Sequence, residues 1–163
     1  MHVRKADSGY KHLNADIKKS KDTSASLEVL TFDTQQTLSI PYPSHSQAFY
    51  QRQLWLYNEC VHVCSTDNSY MVMWVEGQGK RGSSEVASAI LKVLNELHKK
   101  KILPVNELIP WSDGCTGQNK NFFIVVLWSY AIQRGFASKI RLRFLVSGHT
   151  FLLCDRDFSH IEK

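Results

Sequence analysis

Leu27-Glu28-Val29-Leu30-Thr31-Phe32-Asp33 is a short run of strand-forming residues that ends in an acid. Leu108-Ile109-Pro110-Trp111-Ser112-Asp113 repeats the design much later in the chain. An acid at a strand end can leave the core and face a cleft. Two such acids on neighbouring strands can share divalent cations, because phosphoryl transfer by two Mg²⁺ ions needs carboxylates around metals about 4 Å apart. The plain alternative is a pair of solvated turn residues. Pro110 counts against a central place for the second strand, since proline donates no ladder hydrogen bond.

The segments around these runs alternate between strand and helix. Residues 1–26 are polar and lysine-rich, without apolar periodicity, and read as a loose N-terminal arm or linker. The prolines at 41 and 43 mark a loop. Residues 52–65 and 70–75 form an antiparallel hairpin, with Val61 and Val63 on one face and Cys60, His62 and Cys64 on the other. After the glycine-containing connection 77–82, Ser83 or Ser84 caps a helix. Its stripe is Val86, Ala89, Ile90, Val93, Leu94 and Leu97. Residues 119–134 are apolar and long enough for a helix, capped by Asn119 or Asn121. Residues 140–146 alternate as a strand, and the last residues open a further helix. This order predicts an α/β fold.

The 163 residues are 43% hydrophobic and 21% charged, which fits one folded domain. A net charge of +5 permits a polyanionic partner without demanding one. The first twenty residues contain no apolar signal segment, and no run of 18 apolar residues occurs. The expectation is therefore an intracellular protein of nucleus or cytoplasm, off the membrane, with its four cysteines reduced.

Other residues invite chemistry. Asp113 opens a polar loop with Gly114 and Gly117 that runs into the apolar helix, where helix-start amides, Asn119 and Lys120 can meet phosphate. The spacing is not that of a Walker A element. Glu85 sits in the first turn of the amphipathic helix, where an acid also favours the helix dipole. Asp155 and Asp157 stand two positions apart, about 200° round a helix, so only one of them can face a given site. His149 can orient a phosphate, transfer a proton, or hydrogen-bond within its loop. Cys60, His62 and Cys64 share a strand face that could attract zinc, though buried small cysteines explain them as well. Trp55, Tyr57, Trp74 and Trp128 read as core before they read as base-stacking platforms.

Five segments in order, FDTQQ (32–36), RQLWLYN (52–58), KRGSSE (80–85), WSDGCTGQNKN (111–121) and GHTFLLCDRDFSHIEK (148–163), resemble those of a transposon-derived animal protein family with ribonuclease H-like, acidic-triad transposase character. The resemblance spans roughly residues 27–163, which it marks as the core domain. It implies a mixed sheet flanked by helices. The first acid lies on the first strand (Asp33), the second just after the fourth (Asp113), and the third opens a late helix (Asp155 or Asp157). Glu85 resembles the glutamate of the first helix in ribonuclease H enzymes, and His149 the histidine of their mobile segment. This chain has Val75 where the family often has aspartate, and Gly114-Cys115-Thr116-Gly117 where it often has Asn-Cys-Gly-Gly. The chain ends soon after the third acid, so the core is expected to be truncated at its C-terminus.

The resemblance implies cleavage and strand transfer of DNA with Mg²⁺ or Mn²⁺ held by Asp33, Asp113, Asp155, Asp157 and Glu85. His149 would assist catalysis, and Lys120, Asn119 and His149 would contact nucleic acid. DNA, a second copy of the chain, or another transposase-derived subunit are the partners it implies. The alternative is a domesticated, non-catalytic module that binds nucleic acid or protein.

Overall fold

The computed structural model describes residues 2–22, 24–40, 52–146 and 151–161, without the side chains of residues 2–6. The elements are α1 (His2–Ser20), β1 (Leu27–Thr34), β2 (Leu38–Ile40), β3 (Leu54–Val63), β4 (Asn68–Val75), α2 (Ser83–Lys99), β5 (Val105–Ser112), α3 (Phe122–Gln133), β6 (Ala137–Ile140), β7 (Arg143–Phe144) and α4 (Leu153–Ile161). The strands form one mixed sheet. β1, β3 and β4 make an antiparallel meander, whereas β5 runs parallel to β1, and β6 and β7 run parallel to β5. Leu56 of β3 pairs with β2 on one side and β4 on the other, so β2 prolongs the row begun by β1, and among the described residues β4 forms an edge. This mixed, partly parallel sheet flanked by helices agrees with a ribonuclease H-like topology in general terms.

Strand alternation divides the core in two. Leu30, Phe32, Val61, Val63 and Leu108 pack beneath α2 and α3. Val29, Cys60, Cys64, Ile109 and Trp111 pack beneath α1 and α4. α2 buries the stripe read from its sequence. Its N-cap is Gly82, with no side-chain cap bond, rather than either serine. Asn121 caps α3, its side chain accepting from Ile124 N at 3.2 Å.

Pro110 does lie in a central strand, opposite Leu30. The reason it is tolerated lies on its other side. Arg141 N donates to Leu108 O at 3.0 Å, so Leu108, and by alternation Pro110, turns its backbone toward β6 and β7. The expected single strand over 140–146 is broken there: β6 ends at Ile140 and β7 begins at Arg143. The ladder is interrupted where a donor is missing.

The N-terminal segment read as a loose arm forms α1. Tyr10, Leu13 and Ile17, at i, i+3 and i+7, make a narrow stripe that packs on the second core. Asp16 pins the helix: its carboxylate accepts from Trp111 Nε1 at 3.2 Å and lies 3.4 Å from Arg143 Nε. Leu13 is buried. Leu13→Ala is therefore expected to cost about 2–4 kcal/mol in urea unfolding. A loss under about 0.5 kcal/mol, the size of an exposed substitution, would mean that α1 does not dock.

Candidate functional site

β1 and β5 are paired with Thr31 opposite Trp111, and two further steps bring Asp33 level with Asp113. Alternation sets both acids on the α1/α4 side of the sheet, at the C-terminal ends of adjacent parallel strands. Asp33 Oδ1 accepts from Thr34 N at 2.8 Å. Its carboxyl is pushed up to about 7, first by burial and then by the charge of Asp113, with Asp155 adding to the effect against a backbone hydrogen bond and Arg81.

Glu59, which the sequence reading passed over, belongs to the same electrostatic neighbourhood. It lies on β3 opposite Thr34, whose hydroxyl donates to Glu59 Oε2 at 2.6 Å. Burial, reinforced by Asp33 and Asp113, pushes its carboxyl up to about 8. Glu59 shares its strand face with Val61 and Val63, so it projects to the other side of the sheet from Asp33. A charge in phase with two core valines is the sequence signal that could have found it.

The remaining acids have turned to local partners. Asp113 Oδ1 accepts from Cys115 N at 3.1 Å and from Asn119 Nδ2 at 2.5 Å, closing its own loop. Asp155 Oδ2 accepts from Leu152 N at 2.7 Å at the start of α4. Glu85 accepts from Lys80 N at 3.0 Å and Ser84 Oγ at 2.7 Å, which secures the turn into α2. Asn119 is buried, and Lys120 Nζ lies 4.6 Å over the Phe144 ring. His149 falls outside the described residues.

Asp157 belongs to a separate cluster that ties α4 to the β3–β4 hairpin. Its Oδ2 lies 2.8 Å from His62 Nδ1 and accepts from the Ser69 hydroxyl, while Arg156 approaches Oδ1 at 3.3 Å. His62 is fully buried, and its Nε2 lies 3.2 Å from Asp67 Oδ1, an ion-pair distance without hydrogen-bond alignment. Burial alone would raise the Asp157 carboxyl, but Ser69, His62 and Arg156 together hold it below the usual range. Ser69 and Asp157 meet the same ring nitrogen, so this is not a relay from nucleophile through base to acid.

Among the described residues, no group of three or more His, Cys, Asp or Glu side chains could hold a metal ion. This corrects the expectation of Mg²⁺ or Mn²⁺ on Asp33, Asp113, Asp155, Asp157 and Glu85, and with it the nuclease and metal-binding reading. The physical reason is the dispersal just described: each of these acids carries a hydrogen bond of its own, and Asp157 and Glu85 serve other parts of the fold. Zinc fares no better. Cys60, His62 and Cys64 are buried, and burial pushes the Cys64 thiol up, away from the thiolate a zinc site requires.

These features define a mixed α/β protein with a partly parallel sheet and an acidic strand-end neighbourhood that holds no metal cluster. More specifically, residues 60–163 match a family described as a domain of unknown function (DUF7869), and the chain belongs to that family. No curated protein and no solved structure matches it. No helix among the described residues is long and apolar enough to cross a membrane.

Two measurements follow from the two clusters. Glu28, Asp33, Glu59 and Asp155 all have raised carboxyls, with burial as the first cause. Between about pH 4 and 8 the folded chain holds protons that the unfolded chain has released, so stability falls as pH rises through this window. Denaturant midpoints should be higher at about pH 5.5 than at about pH 8.5, and Glu59→Gln should raise the upper value and flatten the slope. A slope unchanged by Glu59→Gln would show that Glu59 ionises normally. Separately, Asp157→Ala removes the carboxylate that His62 and Ser69 share, leaving them only each other, and should cost about 2–4 kcal/mol. A neutral effect would remove this cluster as the anchor of α4.

Proposed function

We propose that this chain is a non-catalytic protein-interaction module on a ribonuclease H-like frame descended from a transposase. The outer face of α3 carries the reading. A surface helix normally buries one apolar stripe and shows polar residues to water, as α2 does. α3 buries Ile124, Leu127, Trp128 and Ala131 and still exposes Phe122, Phe123, Val125, Val126, Tyr130 and Ile132. Phe122 is 75% exposed, and the helix contains no charged residue. Beside it runs a groove of about 330 Å³ between α2 and α3, lined by Ala87, Ser88, Leu91, Phe123, Val126 and Tyr130.

Six large side chains, each roughly half exposed, present on the order of 500 Å² of apolar surface, near the upper end of what monomers leave uncovered. An uncharged apolar face selects another apolar protein surface and offers nothing to a phosphate backbone. In this reading Asp113 and Asp155 hold local turns, Asp33 bonds the end of its own strand, and none of them cuts DNA. Lys120, Asn119 and His149 are not required for binding.

A photo-crosslinking residue at Phe122 should give discrete protein adducts. These should vanish with Val126→Asp and persist in the Asp33→Asn/Asp113→Asn double variant. Adducts only to nucleic acid, or protein adducts indifferent to Val126→Asp, would defeat the proposal. So would DNA cleavage that is lost in Asp113→Asn.

A further inference from the structure

The exposed stripe on α3 is complementary to itself. Phe122, Val126 and Tyr130 follow one another at intervals of four and lie along one side of the helix. Val126 is the midpoint. An antiparallel two-fold axis through Val126 places Phe122 of one copy beside Tyr130 of the other, twice over, and Val126 against its own counterpart. Ridges spaced by four on both helices interdigitate in the commonest helix-packing class. The arrangement is isologous and therefore closed.

We propose that α3 docks against α3 of a second copy of this chain, with Val126 on the two-fold axis. The proposal rests on the interaction reading above and names its partner. Charge selects the occupant. Phe122–Gln133 holds no side chain charged at neutral pH, so the surface that covers it best is equally free of charge, and α3 itself is such a surface. Size agrees. Phe122, Phe123, Val126 and Tyr130 fall within about 100° of the helix circumference, with Val125 and Ile132 on the other flank, so two copies bury at most on the order of 1,000 Å², the size of a weak, transient contact. A contact of this size class is expected to be weak and reversible, with a Kd of roughly micromolar order.

The salt response distinguishes this contact from a nucleic-acid one. Each copy carries a net charge of +5, and none of it lies on α3. Added salt screens the repulsion between the copies and touches no ion pair in the contact, so the dimer should tighten or hold. Binding to a polyanion would weaken steeply.

Sedimentation equilibrium of the full chain should show a monomer–dimer equilibrium that persists or tightens between about 0.1 and 0.5 M NaCl. Val126→Asp sets two carboxylates together on the axis and should weaken the dimer about a hundredfold or more. In a Cys115→Ser background, Val126→Cys should form a disulfide-linked dimer on mild oxidation, because only a residue at the axis meets its own copy. A Val126→Asp chain with a normal unfolding transition excludes misfolding as the cause. A chain that stays monomeric at about 100 μM, well above a micromolar Kd, overturns self-association. A dimer indifferent to Val126→Asp, or a Val126→Cys chain that never cross-links, overturns the axis. A monomeric chain whose Phe122 adducts go to another protein refutes only the second copy. A monomeric chain without protein adducts refutes the interaction reading too.

Discussion

The parallel ladder between β1 and β5, from Leu27 opposite Glu107 to Thr31 opposite Trp111, is covered by helices on both sides. Two strands in that position cannot expose one face to water. Every residue along them is therefore assigned by parity to one of two cores. Leu30, Phe32 and Leu108 fall to α2 and α3, while Val29, Ile109 and Trp111 fall to α1 and α4. A slip of one residue would exchange the two sets and drive Asp33 into the aliphatic layer. Pro110 survives in this ladder because its missing donor falls at the gap between β6 and β7.

The same parity explains how acids can influence one another without binding a cation together. Two like charges about 6 Å apart at an effective dielectric of about 20 still repel by roughly 3 kcal/mol, or about two pK units. Sharing a cation is far more exacting, since ligand oxygens must converge to within about 2.0–2.6 Å of it. Asp33 therefore feels Asp113 and Asp155, and Glu59 feels both strand-end acids through the sheet, although no common ligand set is built. In place of a cation, the raised carboxyls of Asp33 and Glu59 keep their protons close to neutral pH.

The elements were largely legible because their signals are local. The stripe of α2, the alternation of β3 and the apolar length of α3 each dictate one element without help from the rest of the chain. α1 was missed because its stripe is only Tyr10, Leu13 and Ile17 in a lysine-rich setting, and its worth depends on the sheet it meets. The strand-end acids were legible as positions, but their use was not. Whether a carboxylate turns to a cation or to the nearest amide is decided by neighbours such as Asn119 and Leu152, whose approach comes from loop geometry. Asp157 is the plainest case. A spacing of two residues separates it from Asp155, yet only the folded chain shows that it faces His62 and Ser69.

α2 and α3 lie in one layer and pack on one core, yet they differ where it matters for association. α2 ends in lysines and shows a polar outer face, so hydration satisfies it. α3 begins where the loop closed by Asp113 and Asn119 ends, at the cap Asn121, and Phe122 follows at once. Its exposed face costs the folded monomer little relative to an unfolded chain that also exposes those side chains. The free energy becomes available only when a second surface covers it, at roughly 25 cal/mol per Å² before the costs of association. The apolar excess on α3 is therefore a term in binding far more than in folding. Because the helix is anchored at the acidic strand ends, the partner proposed for Phe122 would sit beside the loop that Asp113 holds in place.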